Sequence, residues 1–341
     1  MRVAFDTRPS AKSDGVGRYA RCLLRSLRDA RPPGHELLET ERPSTALRSG
    51  AADVLHSPCF DGAMLHSPCP MVVTIHDLSA LKRASEHLRG GVRTRLRQLA
   101  AQRAAGVIAP TETVALDAGT HLGIERERVT VIPEAADASM YRRPGEEIAA
   151  VRERLGLPEG YLVLVGGLQH PDPAKHIARL AGTRRDLALV MVGATRPWAH
   201  ELPDVILTGE VCDEDLAAIY SGAHALVLTS ENEGFGLPAV EALACGTPVA
   251  ACEAPAVREV LGERATFVCS GDMQALVDAA QSASRPAPAP PAWTWDDAAR
   301  STWGVYASVA ALAHQQKPVP ARAGGRARRT SGGAVEGLEA Q

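Results

Sequence analysis

The chain is predicted to be an α/β protein of two domains, and three observations carry that prediction. Continuously apolar runs of strand length recur along it: "RVAFD", "MVVTI", "GVIAP", "VTVIP", "YLVLVGG", "LALVMVG", "VILTG", "ALVLTS" and "TPVAA". Segments of helical periodicity separate them, the pattern of parallel strands covered by helices on both faces. The 341 residues exceed the roughly 100–200 expected of one domain, so two cores are expected.

Composition narrows the function class. With 37 basic and 40 acidic side chains and a net charge of −3, the chain has no overall attraction for nucleic acid. Its cysteines (Cys22, Cys59, Cys69, Cys212, Cys245, Cys252, Cys269) are odd in number and scattered, mostly in apolar runs. That argues for reduced thiols in the cytoplasm. The opening "MRVAFDTRPS" has no signal-peptide core, and no run approaches the roughly 18 apolar residues of a membrane span, so export and integral insertion are not expected.

From the amino end, "SDGVGRYARCLLRSL" follows the first strand with Gly15 and Gly17. It opens a helix in which Tyr19, Leu23, Leu24 and Leu27 keep helical spacing. Such a turn can aim backbone N–H groups at a phosphate, though a plain strand-to-helix turn has the same pattern. It is not the G-x-G-x-x-G fingerprint. In "LHSPCFDGAMLHSPC", His56, Cys59, His66 and Cys69 form two H-x₂-C pairs with six residues between them. Finger-type zinc sites leave about a dozen, so no metal is expected there. "VVTIHDL" ends a buried strand with His76 and Asp77, at the carboxyl end where open α/β sheets hold ligands. In "EHLRGGVRTRLRQLAAQRAAG", Arg89, Arg93 and Arg97 line up at i, i+4 spacing, with Val92, Leu96 and Leu99 on another face. A solvated helix and peripheral contact with an anionic membrane both fit.

The polar "YRRPGEEIAA" at 141–150 reads as an interdomain connection. The first domain is therefore placed at 1–143 and the second at 144–284. A proline-rich tether, 285–293, leads to a helix at 294–314 carrying Trp295, Trp303 and Tyr306. The tail, 315–341, has too little apolar content to offset its ordering entropy and is expected to be disordered. The "DED" at 213–215 formally matches a D-x-D metal pattern. It precedes the helical pattern Leu216, Ile219, Tyr220, so acids in a first helical turn explain it better.

In "SENEGFGLPAVEALACGTPV", 230–249, Glu233 and Glu241 flank a Gly-Phe-Gly-Leu-Pro turn. Gly234 and Gly236 permit close backbone approach, and Pro238 suits a first helical turn. The helix then buries Ala239, Val240, Leu243 and Ala244, with Glu241 beside that stripe. Such a site could hold a sugar near Glu233, a diphosphate on backbone N–H groups, and a ribose diol on Glu241. Acids flanking a helix cap with no ligand fit the same pattern.

These residues resemble the family-4 retaining glycosyltransferases of GT-B fold, the glycosyl transferases of group 1. The family's E-x₇-E signature appears as "EGFGLPAVE", continued by "ALACGTPVAA" and "REVLG". The likeness runs in order through "GVGRYARCLL", "DVLHSP", "VVTIHDL", "RVTVIP", "YLVLVGGL" and "WTWDDAARSTWGVY". It implies two Rossmann-like, doubly wound parallel-sheet domains facing across a cleft, acceptor on the first and nucleotide-sugar donor on the second. The last helix would cross back onto the first domain. By the same resemblance Glu241 binds the ribose and Glu233 the donor sugar. Phe235, Gly236 and Leu237, with Gly234, line the sugar and phosphate site. Gly17 faces the diphosphate, His76 bonds the transferred sugar, and Lys175 matches the phosphate-binding lysine. Base contacts fall on the backbone around 191–211, Val211 included. No cofactor and no divalent metal are required.

Two departures stand out. Where the family carries an arginine near the lysine, this chain reads "LQHPDPAKHI", with Ala174 at that place. The family's "PNGVD" is replaced by "PEAAD", with Glu134, Ala135 and Ala136. An acid beside a diphosphate is unfavourable, so either Glu134 points away or the donor site is remodelled, with Arg18 or His170 as compensating cations. The expectation is a retaining hexosyltransferase, with GDP-mannose or a related donor weakly favoured and a glycan, lipid-linked sugar or small molecule as hydroxyl acceptor. A nucleotide-sugar-binding subunit and a GT-B epimerase are the alternatives.

Overall fold

The computed structural model describes residues 1–44, 50–82 and 91–315. The chain builds two six-stranded sheets in which every paired strand is parallel. The first contains β1 (Arg2–Asp6), β2 (Glu36–Thr40), β3 (Val54–Ser57), β4 (Met71–Thr74), β5 (Gly106–Ala109) and β6 (Val129–Val131), in the order β2-β1-β3-β4-β5-β6. The second contains β7 (Tyr161–Val165), β8 (Ala188–Val192), β9 (Val205–Gly209), β10 (Ala225–Leu228), β11 (Val249–Cys252) and β12 (Ala265–Val268), in the order β12-β11-β10-β7-β8-β9.

Strand alternation explains why the apolar runs are unbroken. In β1, Val3 and Phe5 pack under the helices Gly15–Asp29 and Trp295–Gln315, while Ala4 joins the opposite core with Val114, Ala118 and Leu122. In the second sheet Val163 and Val190 face one core, and Leu162 and Leu189 the other. A strand covered on both sides has no polar face to show. β2 and β12 are edge strands and expose part of theirs, so "ELLET" and "ATFV" do not stand out as apolar runs.

The final helix, Trp295–Gln315, packs on the helix Gly15–Asp29 of the first sheet. The Trp303 indole N–H donates to the Leu27 carbonyl at 3.1 Å, and the Tyr306 hydroxyl lies 2.6 Å from His56 Nδ1. His56 Nε2 meets Thr74 Oγ1 at 2.9 Å, and burial pushes the His56 pKa down to about 3, so the ring is neutral and structural. The tether before this helix is pinned by Arg285, which donates to the carbonyls of Gly246 (2.8 Å) and Ser221 (3.1 Å). The predicted disordered tail beyond residue 315 lies outside the described residues, as does Arg89. Among the described residues no helix is long and apolar enough to cross a membrane.

The two sheets meet through specific bonds. Glu259, on the helix Pro255–Leu261, accepts from the backbone N–H groups of Glu112 (2.6 Å) and Thr113 (2.9 Å). These are first-turn donors of the helix Glu112–Leu122, which have no partner within their own helix. The Thr111 hydroxyl, which caps that helix, also donates to the Gly234 carbonyl at 3.0 Å.

Candidate active site

A cavity of about 390 Å³ lies between the two halves. One wall is the start of the helix Gly15–Asp29, with Asp14, Gly15 and Arg18. The other is made by segments that follow strands of the second sheet: Gly166 and Gly167 after β7, Gly193 after β8, Val211 after β9, and Thr229, Glu233, Leu237 and Glu241 after β10. Carboxyl ends of parallel strands are where an open sheet leaves a crevice.

The glycine turn after β7 is shaped for close approach. Gly166 and Gly167 have φ of 81° and 78°, the left-handed region that favours glycine. A Cβ on Gly167 would come within 2.8 Å of the Ile177 side chain and 3.4 Å of Lys175 Cδ. Its signal in the sequence is a glycine pair at the end of an apolar run, "LVLVGG". Lys175 ends a 3₁₀ turn, Pro173–Lys175, capped by Asp172, and lines the cavity with its ammonium 4.0 Å from Glu233 Oε1.

Glu241 stands in the helix Leu237–Ala244, which starts from Gly236 in the left-handed conformation, φ 85°. It is 2% exposed. Arg18 Nε contacts its Oε1, and the Tyr220 hydroxyl donates to its Oε2 at 3.3 Å. Arg18 Nη1 also bonds Asp213 at 2.7 Å, and Nη2 is buried with no hydrogen-bond partner. Burial is the largest influence on Glu241 and pushes its carboxyl up to about 7, against the pull of Arg18, with Asp213 adding repulsion. Burial also works against the Arg18 charge, but Glu241 and Asp213 together overcome it and raise its pKa. The two directions agree once Asp213 is counted: the arginine keeps its charge on two acids, and the more buried acid gives up its own more readily.

The remaining predicted residues lie apart from the cavity lining. Gly17 gives its N–H to the Asp14 side chain at 2.9 Å, and a Cβ there would meet the Lys12 carbonyl oxygen at 2.0 Å. This glycine permits close packing of the 8–12 segment on the helix. Gly234 is wedged against the first half, where a Cβ would come within 1.6 Å of the His76 carbonyl oxygen. Phe235 is buried beside Trp293, ring centroids 6.0 Å apart. His76 has Nδ1 3.1 Å from Glu134 Oε1 and Nε2 2.9 Å from the Pro58 carbonyl, with Tyr19 edge-on at 4.5 Å. Burial disfavours its charge, yet the bond and field of Glu134 outweigh that and raise its pKa.

The two departures from the family pattern take definite places. Glu134 is buried against His76 and does not line the cavity. Of the two compensating cations, Arg18 lines the cavity and His170 does not. The "DED" acids sit in the first turn of the helix Asp213–Gly222, with Asp213 bound to Arg18 and Asp215 to Arg154 at 2.5 Å. Sequence reasoning missed the Arg18, Asp213, Tyr220 and Glu241 cluster, because its members come from distant segments with no shared motif.

Two parallel, doubly wound sheets with a cavity between them define the GT-B architecture. The chain belongs to the group 1 glycosyltransferases: the family described as "Glycosyl transferases group 1" matches residues 159–285, and "Glycosyltransferase Family 4" matches residues 9–139. It is 29% identical over 202 residues to the 2-deoxystreptamine glucosyltransferase of Streptomyces kanamyceticus, covering 53% of this chain and 52% of that protein. It is 33% identical over 212 residues to the D-inositol 3-phosphate glycosyltransferase of Streptomyces bingchenggensis, covering 54% and 46%. The MMP alpha-(1->4)-mannosyltransferase of Mycolicibacterium hassiacum is 34% identical over 174 residues, covering 48% and 41%. The aligned stretches span about half the length of these relatives. Among solved structures, Anabaena HepE with UDP and glucose superposes with a TM-score of 0.64 at 17% identity, covering 92% of this chain and 98% of that one. WaaG, a glycosyltransferase involved in lipopolysaccharide biosynthesis, gives 0.64 at 16% identity, covering 92% and 94%. At such identities the likeness is one of fold.

Proposed function

We propose that this protein transfers a hexose from a nucleoside-diphosphate sugar to a hydroxyl acceptor, with retention at the anomeric carbon and without a divalent metal or cofactor. The observation that carries the reading is the convergence of Glu233, Lys175 and Glu241 on one cavity between the two halves. Glu241 at the depth of the cavity suits a ribose diol, Lys175 a phosphate, and Glu233 the hydroxyls of the transferred sugar. The backbone at Leu237 and Val211, both of which line the cavity, would complete the donor site, with the turn from Gly234 to Gly236 holding Leu237 in place. Gly17 would act by letting the 8–12 segment pack, and His76 by holding the backbone on which Gly234 rests. The named activities of the relatives support glycosyl transfer, and the UDP-glucose complex of HepE supports a nucleotide-sugar donor.

The chemistry assigned to the protein is positioning and electrostatics. The diphosphate leaves from the face the acceptor enters, through an oxocarbenium-like state, and a leaving-group oxygen takes the acceptor proton. GDP-mannose or a related donor remains the favoured choice. We place the enzyme in the cytoplasm, with the helix Gly91–Gln102 able to meet an anionic membrane through exposed Val92, Leu96 and Leu99. Arg97 on that helix pairs with Asp61 at 2.9 Å, and the Arg93 side chain lies outside the described residues. One observation favours a second reading, a nucleotide-sugar-binding subunit: Ala174 leaves Lys175 without an adjacent arginine.

The test is a panel of GDP-, UDP-, ADP- and dTDP-sugars with the purified protein and EDTA, scoring binding and release of nucleoside diphosphate. Release from one donor is expected. Tight binding of one donor with no release, alone or with candidate acceptors, would favour the binding subunit.

A further inference from the structure

Glu241 is covered on both oxygens, by Arg18 on Oε1 and by Tyr220 on Oε2. It is almost wholly enclosed, and Arg18 reaches it from the opposite wall of the cavity. A ribose diol bonded to Glu241 and a guanidinium ion-paired with Glu241 Oε1 therefore compete for the same place.

Arg18 has somewhere else to go. Its Nη1 is anchored on Asp213, while Nη2 has no hydrogen-bond partner. The facing cavity wall carries Lys175 and the Gly166–Gly167 turn, and position 174, beside Lys175, offers no cation. A guanidinium presents planar paired donors that match phosphate oxygens, which a single ammonium does not. We propose that Arg18 is an exchange residue of the donor site: the ribose hydroxyls displace it from Glu241, and the released guanidinium takes the diphosphate. This rests on the nucleotide-sugar reading above.

The exchange has a signature. A nucleoside must break the Arg18–Glu241 contact and gives the arginine no new partner. A nucleoside diphosphate breaks the same contact and supplies one. Arg18 thereby selects for the diphosphate, and its removal should move the two affinities in opposite directions.

The experiment is calorimetric titration of wild type, Arg18→Ala, Arg18→Gln and Arg18→Lys with UDP, GDP and ADP and with uridine, guanosine and adenosine, in EDTA. For the base that wild type prefers, Arg18→Ala should bind the nucleoside tighter and the diphosphate weaker, each by about tenfold. Arg18→Lys should recover part of the diphosphate affinity. Arg18→Ala leaves a buried acid without its counter-charge, so Arg18→Gln, which keeps a hydrogen-bond donor, gives the same reading where the alanine variant does not fold. Equal loss of both ligands would assign Arg18 a structural part only and overturn the proposal, as would unchanged diphosphate affinity. If wild type binds none of the three diphosphates, the donor is not a ribonucleotide of these bases and the exchange falls with that part of the reading.

Discussion

Glu134 Oε1 lies 3.1 Å from His76 Nδ1, and the other ring nitrogen faces the Pro58 carbonyl at 2.9 Å. Two acceptors facing one imidazole favour the doubly protonated ring, and the bond and field of Glu134 raise its pKa against the pull of burial. The acid in "PEAAD" therefore serves this ring and is turned away from the cavity.

Replacing Glu134 with Gln should lower the pKa of His76, because burial then acts on the cation with only the Pro58 carbonyl and Asp77 left to oppose it. Histidine ring resonances followed by NMR read this directly. The pair's stability is fully present below the unfolded histidine pKa of about 6.5 and is lost as pH rises through the raised folded value. Wild type should thus exceed Glu134→Gln by more at pH 5.5 than at pH 9. An equal margin at both would mean a neutral ring.

The Glu241 carboxyl, raised from 4.5 to about 7, binds its proton more tightly in the folded protein than in the unfolded chain. Its contribution is complete below about 4.5 and disappears as pH rises through about 7. Over that window wild type should lose stability relative to Glu241→Gln, at no more than about 1.4 kcal/mol per pH unit. Urea unfolding at pH 5 and pH 8 measures the difference, and parallel behaviour of the two proteins would refute it.

Removing the Glu259 carboxylate should cost about 1 kcal/mol, the usual worth of a helix cap. Glu259→Ala leaves the N–H groups of Glu112 and Thr113 without their acceptor across the domain seam. Their amide exchange should accelerate while that of β7 stays slow. Unchanged exchange at both positions would show that water replaces the carboxylate without loss.

Lys175→Ala should reduce nucleoside diphosphate release by about 10²-fold or more, the scale of losing one electrostatic partner of a leaving group. The side chain is 37% exposed, so melting should barely move. Wild-type turnover in this variant would transfer the phosphate role to another cation.

The legible part of this protein was what short windows carry. The nine apolar runs each fall on a strand, because strands covered on both faces have no polar alternation to break the pattern. β2 and β12 escaped as half-exposed edges, and β3 because His56 and Ser57 interrupt its apolar face. Glu233, Glu241 and Lys175 were found by motif and do meet at one cavity. The partners Arg18–Glu241 and His76–Glu134 were not legible. Each joins segments brought together only by the fold, and neither side chain's spacing hints at the other.

The approach of Gly234 to the His76 carbonyl bears on how such proteins can recombine. The turn between the two glutamates is moulded on backbone belonging to the other sheet, and Thr111 bonds it there as well. A chimera that joins the second half of this chain to the first half of a relative would import a foreign surface beneath that turn. The seam is thus matched within this chain, with Arg18, His76 and Thr111 on one side and Glu233 to Glu241 on the other, and exchanging one half alone would leave its contacts without their partners.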